Sequence, residues 1–153
     1  MKTLYILRHA KSSWEQSELR DFERPLAKRG LKDISLMGQR FSQQGRKVEC
    51  IISSPAVRAK TTALLFAQEI GYPEDDISAN PELYFAGAAM FLKAASLIDE
   101  HFQSAMLVGH NPAITEFVND MCDAGIDNIP TSGLVELRLP IDHWSEVRSE
   151  EHT

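Results

Sequence analysis

The sequence of 153 residues contains very little cysteine. Cys50 and Cys122 are its only two cysteines, they lie far apart, and they form no C-x-x-C pair of the kind that binds metal ions. One disulfide is not the framework that stabilises small secreted domains. The scarcity of cysteine therefore favours a reducing compartment, and we expect a cytoplasmic protein.

Long hydrophobic runs are also missing. The apolar stretch near the N-terminus is interrupted by Arg8 and His9 well before it reaches the length of a signal-peptide core or a membrane span. We therefore expect neither secretion nor a membrane location. With 16 basic and 22 acidic residues the net charge is −6, and such a molecule repels nucleic acid and acidic membrane surfaces. Neither is expected as a partner.

Motifs of three common enzyme classes are absent. The sequence has no G-x-x-x-x-G-K-S/T, no G-x-G-x-x-G and no G-x-S-x-G, so nucleotide-binding and serine-hydrolase interpretations find little support. We accordingly interpret Ser53 and Ser54 as cap and loop residues rather than as nucleophiles.

What is present is the composition of an ordinary globular protein. Hydrophobic residues make up 43% and charged residues 25% of the chain, which is typical of soluble folded proteins, and the length matches one domain. We expect a single domain over residues 1–148, a polar tail over residues 149–153, and a monomer.

Strand-like and helix-like segments alternate along the chain. Apolar residues at Leu31, Ile34, Met37 and Phe41 have helical spacing, and the pattern stops near Gly45. In the same way the sequence predicts strands at 4–7, 48–52, near 77, at 105–108 and at 133–139, and further helices at 55–70, 88–102 and 113–122. This alternation favours an α/β fold: a three-layer domain with a mostly parallel sheet and helices on both faces.

Two of the predicted helices share a start signal. Ser53-Ser54-Pro55 places a serine cap before a proline in the first helical position, and Asn111-Pro112 repeats this signature before the helix that starts at Ala113.

Basic side chains occur where three predicted strands end. Arg8 and His9 follow the first strand, Arg58 lies in the helical turn after the second, and His110 follows the third long strand. Because ligands of α/β sheets bind at the carboxyl ends of the strands, we expect these groups to surround one phosphate or carboxylate group. With Lys11 they would form a positive hollow on an acidic molecule. A neutral imidazole among arginines is a nucleophile for phosphoryl transfer.

These residues resemble the signatures of a known family. Arg8-His9-Ala10, Ser53-Ser54-Pro55, the segment from Arg58 to Thr62, and Gly109-His110-Asn111 are similar to the motifs of the histidine phosphatase (phosphoglycerate mutase-like) superfamily. The segment from Asp21 to Gly30 resembles its small phosphohistidine phosphatase branch. Ala10 stands where glycine is commoner in the first motif.

The resemblance implies a phosphoglycerate mutase-like fold and assigns roles to individual residues. His9 would be the nucleophile that becomes phosphorylated, Arg8 and Arg58 would bind the phosphoryl group, and His110 would complete the pocket. No metal or cofactor is implied. The favoured substrate is phosphohistidine on a signalling or phosphotransfer protein. The alternatives are a phosphatase of small phosphomonoesters and a non-catalytic module that binds phosphate or phosphoproteins.

Several neighbouring residues have open interpretations. Glu82 is the best positional candidate for an acid that protonates the leaving group, although this branch can also work without one. Arg24 and Arg29 either line the rim of the pocket or form salt bridges at a helix start. Trp14 and Tyr84 are interpreted as packing residues, with a pocket wall as the alternative.

Overall fold

The computed structural model of the protein describes residues 1–84 and 87–148. Its centre is one five-stranded sheet with the strand order β3-β2-β4-β1-β5. All neighbouring strands are parallel except β1 and β5, which are antiparallel. The strands are β1 (Lys2–Arg8), β2 (Ile51–Ser53), β3 (Ser78–Ala79), β4 (Ser104–Gly109) and β5 (Leu134–Leu139). The predicted polar tail lies outside the described residues.

Four α-helices cover the two faces of this sheet: α1 (Lys28–Gln43), α2 (Val57–Ile70), α3 (Ala88–Ser96) and α4 (Ala113–Cys122). The alternation of side chains along β1 explains the two cores. Leu4 and Ile6 point into the core formed with α3 and α4, whereas Tyr5 and Leu7 point into the core formed with α1 and α2. The predicted three-layer α/β fold with a mostly parallel sheet is therefore confirmed.

The predicted helix starts were wrong in detail. Helix α2 begins at Val57 rather than Pro55, and Ala56 stands at its cap without a side-chain hydrogen bond. The Ser54 hydroxyl instead accepts the Ala56 N–H at 3.3 Å, two residues along the chain. Helix α4 does begin at Ala113, but its cap residue is Pro112 rather than Asn111. The Asn111 side chain instead forms hydrogen bonds with Asn128, Ile129 and Thr115.

Two further boundaries differ from the sequence prediction. Helix α3 ends at Ser96 rather than near Phe102, and the buried Lys2 ammonium donates to the carbonyl oxygens of Glu100 and Phe102 at 2.7 and 2.8 Å. These two carbonyl groups lie beyond the end of α3 and bind the lysine. Strand β2 is shorter than predicted and starts at Ile51. Within the described residues, no helix is both long and apolar enough to cross a lipid bilayer.

The sheet order determines where the functional side chains meet. Strand β4 lies between β1 and β2, so the carboxyl ends of these three parallel strands are side by side. Arg8 pairs with Gly109 in the β1–β4 register. The residues that follow the two strands, His9 and His110, therefore leave the sheet at the same edge.

Gly30 allows α1 to approach the loop that follows His9. A Cβ atom at Gly30 would lie 2.3 Å from the Lys11 carbonyl oxygen and 3.0 Å from the Lys11 nitrogen. The same oxygen accepts the Ala27 N–H at 2.8 Å. Because both neighbours of the added atom are backbone, they cannot rotate away as a side chain would.

We predict that Gly30→Ala separates the first turn of α1 from this loop and lowers the free energy of unfolding by about 1–3 kcal/mol, the usual cost of overpacking. Urea denaturation measures the change. Gly87→Ala is the matched control, because a Cβ at Gly87 meets no atom of the described residues within 4 Å. Equal stabilities of the two variants would contradict the prediction.

Candidate active site

Two histidines face each other at the carboxyl edge of the sheet. The ring centroids of His9 and His110 are 5.3 Å apart, and the His9 backbone N–H donates to the Gly109 carbonyl at 3.1 Å. Arg58 lies in the first turn of α2, and it acts electrostatically on both histidines. The structure therefore brings together Arg58 and the two histidines, as the sequence predicts.

The hydrogen bond of His9 identifies which ring nitrogen carries the proton. Nδ1 lies 2.7 Å from the Ala10 carbonyl oxygen. A carbonyl oxygen only accepts hydrogen bonds, so Nδ1 carries the proton and Nε2 keeps a free lone pair. The Ala10 N–H donates to the Thr62 hydroxyl at 3.0 Å, and that hydroxyl donates to the Arg58 carbonyl at 2.6 Å. Thr62 thus ties the His9 loop to α2.

Burial keeps both rings neutral near pH 7. Desolvation lowers the pKa of His9 to about 4, and the charges of Arg58, Arg8 and Arg24 act in the same direction. Desolvation also lowers the pKa of His110 to about 3, with Arg58 as the next contribution. Neither histidine is then an imidazolium at physiological pH.

His110 bonds through one ring nitrogen only. Its Nε2 lies 2.7 Å from the Ser54 hydroxyl oxygen. Its Nδ1 is buried and has no hydrogen-bond partner within residues 1–84 and 87–148. Ser54, interpreted from sequence as a loop residue, is therefore a direct neighbour of His110.

Arg8 and Arg58, the two predicted arginines, form hydrogen bonds with different parts of the chain. Arg58 is buried, and it donates from Nη1 to the Asp21 carbonyl oxygen at 2.7 Å and from Nη2 to the Asp21 carboxylate at 3.0 Å. Arg8 donates from Nη1 to the Ile129 carbonyl oxygen at 2.9 Å. Desolvation lowers the pKa of the Arg8 guanidinium, although an arginine remains charged at physiological pH.

A third arginine belongs to the same cluster. Arg24 is only 7% exposed, its Nη1 lies 3.5 Å from an Asp21 carboxylate oxygen, and its Nη2 donates to the Ser12 hydroxyl. Arg29 differs from Arg24, because the Arg29 side chain is exposed and its Nε lies 3.7 Å from an Asp33 carboxylate oxygen. Arg24 therefore lies at the pocket and also forms an ion pair with Asp21. Arg29 forms the salt bridge expected at the start of a helix.

Asp21 is the site residue that the sequence prediction missed. Its carboxylate contacts Arg58 and Arg24 and accepts the Tyr84 hydroxyl at 2.8 Å. Desolvation on its own raises the pKa of this carboxyl, but the hydrogen bonds of Tyr84 and Arg58 outweigh it and the net pKa is lowered. The segment Asp21 to Gly30 carried a signal, since Asp21 and Arg24 are three residues apart before a helix.

The two aromatic residues with open interpretations both lie at the site. The Tyr84 ring centroid is 5.7 Å from that of His110, so Tyr84 walls the pocket. The Trp14 ring covers the Arg24 guanidinium carbon at 3.3 Å from the ring centroid, yet Trp14 is 75% exposed. Core packing was therefore the wrong expectation for Trp14.

Glu82 and Lys11 both have exposed side chains. The Glu82 carboxylate is exposed and bonds to Lys93 of α3 at 3.1 Å, and the Lys11 side chain is exposed. Within the described part of the chain, no group of three His, Cys, Asp or Glu residues lies close enough to hold a metal ion. The guanidinium groups of Arg8, Arg24 and Arg58 supply positive charge beside His9.

Comparison with solved structures defines the class of protein. The sheet, its four helices and the site at the strand ends have the phosphoglycerate mutase-like fold. The proposed phosphohistidine phosphatase SixA of Agrobacterium tumefaciens superposes with a TM-score of 0.81 at 29% identity, over 88% of this chain and 90% of that one. The protein histidine phosphatase SixA in complex with tungstate superposes at 0.80 over 90% and 88% of the two chains. At 22% identity, this second likeness establishes the fold alone.

The family follows from the sequence comparisons. The histidine phosphatase superfamily (branch 1) matches residues 4–84. An uncharacterized chloroplastic protein of Arabidopsis thaliana is 32% identical over 95% of this chain and 70% of its own length. The chain therefore belongs to the histidine phosphatase superfamily, within its SixA-like branch. This membership assigns it to the phosphatase class of hydrolases.

The two depressed histidine pKa values predict how stability depends on pH. A histidine in the unfolded chain has a pKa of about 6.5, whereas the pKa values of His9 and His110 in the folded protein are about 4 and about 3. Between these values the unfolded chain binds protons that the fold does not, so stability is lost as the pH falls from 6.5 towards 4. Each histidine contributes a slope of up to about 1.4 kcal/mol per pH unit.

Urea denaturation between pH 7.5 and 4.5 measures this slope. His9→Gln removes one of the two proton-linked terms, so its stability should fall less steeply with decreasing pH than that of the wild type. His110→Gln should flatten the slope in the same direction, because the pKa of His110 is also depressed in the fold. Identical slopes in the wild type and His9→Gln would show that His9 is not held neutral.

Proposed function

We propose that the protein hydrolyses phosphorylated substrates in two steps through a phosphohistidine on His9. The observation that carries this proposal is the His9–Ala10 hydrogen bond, which leaves Nε2 unprotonated in a buried pocket of arginines. A neutral imidazole nitrogen with a free lone pair is ready to attack phosphorus near pH 7.

In the first step, Nε2 of His9 forms a bond to phosphorus while the bond from phosphorus to the leaving group breaks. The leaving group departs with the electron pair and takes up a proton. In the second step, a water oxygen attacks the phosphorus and the Nε2–phosphorus bond breaks. Inorganic phosphate is released, the water proton passes to the phosphate or the solvent, and His9 returns to its neutral form.

The charges of the pocket match those of a phosphoryl group. Arg8, Arg24 and Arg58 carry three positive charges, and Asp21 carries one negative charge that the arginines hold in its ionised form. The cluster therefore has two net positive charges, which balance a phosphoryl dianion. Guanidinium donors also fit phosphate oxygens in pairs.

His110 has a separate role as a neutral hydrogen-bond donor. We assign the proton of the bond between the Ser54 hydroxyl and His110 Nε2 to the hydroxyl, whose oxygen also accepts the Ala56 N–H. The His110 proton then resides on Nδ1, whose partner we propose to be a phosphoryl oxygen. A fixed donor of this kind stabilises charge that develops in the transition state.

The favoured substrate is phosphohistidine on a protein. Asp21 is ionised and bonded to arginine, and Glu82 is bonded to Lys93, so neither carboxyl is set to protonate a poor leaving group. A histidine leaving group needs less assistance from an acid than an alkoxide does. The exposed Trp14 ring beside Arg24 offers a contact for the polypeptide around the phosphorylated residue.

We predict that His9→Ala abolishes the phosphoenzyme and lowers kcat by roughly 10³-fold or more, because the nucleophile is lost. Labelled phosphate on the wild-type protein should survive an alkaline quench and be released by acid, as expected for phosphohistidine. His143→Ala, at an exposed histidine, should keep both the label and the turnover. Wild-type protein that binds phosphate without any turnover would favour a binding module instead.

A panel of substrates tests the choice of leaving group. We predict a higher kcat/KM for a phosphorylated histidine-containing phosphotransfer domain than for glycerol 3-phosphate or other small esters. Trp14→Ala should raise KM severalfold for the protein substrate and leave the small esters unchanged. Leu97→Ala is the matched control, because Leu97 is 72% exposed but lies at the far end of α3. Faster turnover of the esters would favour the small-molecule alternative.

A further inference from the structure

Arg8 depends on an irregular loop for its position. Its guanidinium donates to the Ile129 carbonyl oxygen, and its buried Nε has no hydrogen-bond partner within residues 1–84 and 87–148. Ile129 lies in the stretch 123–133, which contains neither helix nor strand. No ladder of backbone hydrogen bonds therefore fixes the carbonyl group that holds Arg8.

Backbone hydrogen bonds tie Ser132 and Gly133, at the end of this loop, to His9 and Arg8, and side chains at four-residue spacing fix its earlier part, which includes Ile129. Asn111, Thr115 and Asn119 lie one helical turn apart, just before and along α4. The Asn119 side chain both donates to the Ile126 carbonyl and accepts its N–H, each at 2.8 Å. The other two side chains bond to Ile129, three residues further along the same loop.

The contacts of Asn111 and Thr115 form a closed set. Asn111 Nδ2 donates to the Ile129 carbonyl oxygen at 2.9 Å and to the Asn128 side-chain oxygen at 2.7 Å. The Thr115 hydroxyl donates to Asn111 Oδ1 at 2.7 Å and accepts the Ile129 N–H at 3.1 Å. The amide orientation is determined, because a rotated amide would place its oxygen against two other oxygens.

We propose that Asn111 and Thr115 are positioning residues for Arg8. The Ile129 carbonyl oxygen accepts from Arg8 on one side and from Asn111 on the other, so Asn111 sets the direction from which the guanidinium is held. This inference rests on the proposed function, in which Arg8 binds the phosphoryl group.

The same side chain also links the two sides of the pocket. Asn111 follows His110 directly in the chain, and its amide reaches the carbonyl that anchors Arg8. Asn111 therefore adds a side-chain link between Arg8 and His110 to the backbone pairing of Arg8 with Gly109. A pocket that is preorganised in this way does not have to order a long side chain when an oxyanion binds.

The test is calorimetric titration of the full-length protein with tungstate, which measures oxyanion binding without requiring turnover. Asn111→Ala and Thr115→Val should each weaken tungstate binding by about 10-fold, the effect expected when a charged hydrogen bond loses its support. Thr115→Ser keeps the hydroxyl and should restore affinity to within about 2-fold of the wild type.

Asn119→Ala is the matched control, because it removes two hydrogen bonds between α4 and the same loop without touching Ile129. It should lower the melting temperature but leave tungstate affinity unchanged. In an Arg8→Ala background, Asn111→Ala should cause no additional loss of affinity, since both changes act through one guanidinium.

Three results would overturn the inference: wild-type affinity in Asn111→Ala, an equal loss in Asn119→Ala, or additive losses in the Arg8→Ala background. Wild-type affinity in Asn111→Ala would show that Asn111 does not support Arg8. Either of the other two results would show that Asn111 acts on the stability of the fold rather than on Arg8. Failure of the proposed function has a different signature, because the wild-type protein would then turn over no phosphorylated substrate, whether or not it binds tungstate.

Discussion

The parallel pairing of β1 with β4 is the constraint on which the site depends. Arg8 lies opposite Gly109 in this pairing, and the His9 N–H continues the ladder to the Gly109 carbonyl. The two histidines therefore emerge from adjacent strands at equal height. A shift of one residue in register would send one of the two rings to the other face of the sheet.

Electrostatics and burial act together in this pocket. The arginine charges and the loss of solvent both oppose a proton on His9, so the same surroundings that bind an anion keep the imidazole neutral. Asp21 moderates the cluster, because it contacts two of the three guanidiniums without sharing a hydrogen bond with His9. An acidic protein with a net charge of −6 thus has a local site of the opposite sign.

The sequence was sufficient for the fold class and for the meeting of Arg8, His9, Arg58 and His110, because strand ends of a parallel sheet converge by geometry. It was insufficient for Asp21 and Tyr84, which reach the pocket through segments without periodic patterning. Ile129 contributes a backbone carbonyl, which leaves no trace in residue type. The predictions that a serine and an asparagine cap two helices were wrong for a related reason, since Ser54 and Asn111 form hydrogen bonds with other groups of the site.

Strand β1 lies beside the central strand β4, and both of its neighbours in the sheet are distant from it in sequence. Strand β1 pairs with β4, about one hundred residues later, and with β5, where Lys2 meets Leu139. During synthesis on the ribosome, the strand that precedes His9 therefore stays unpaired until β4, about one hundred residues later, has been made. Contacts so distant in sequence close slowly, so β1 remains an unpaired apolar strand over that interval, a stage at which chaperones and aggregation compete for it.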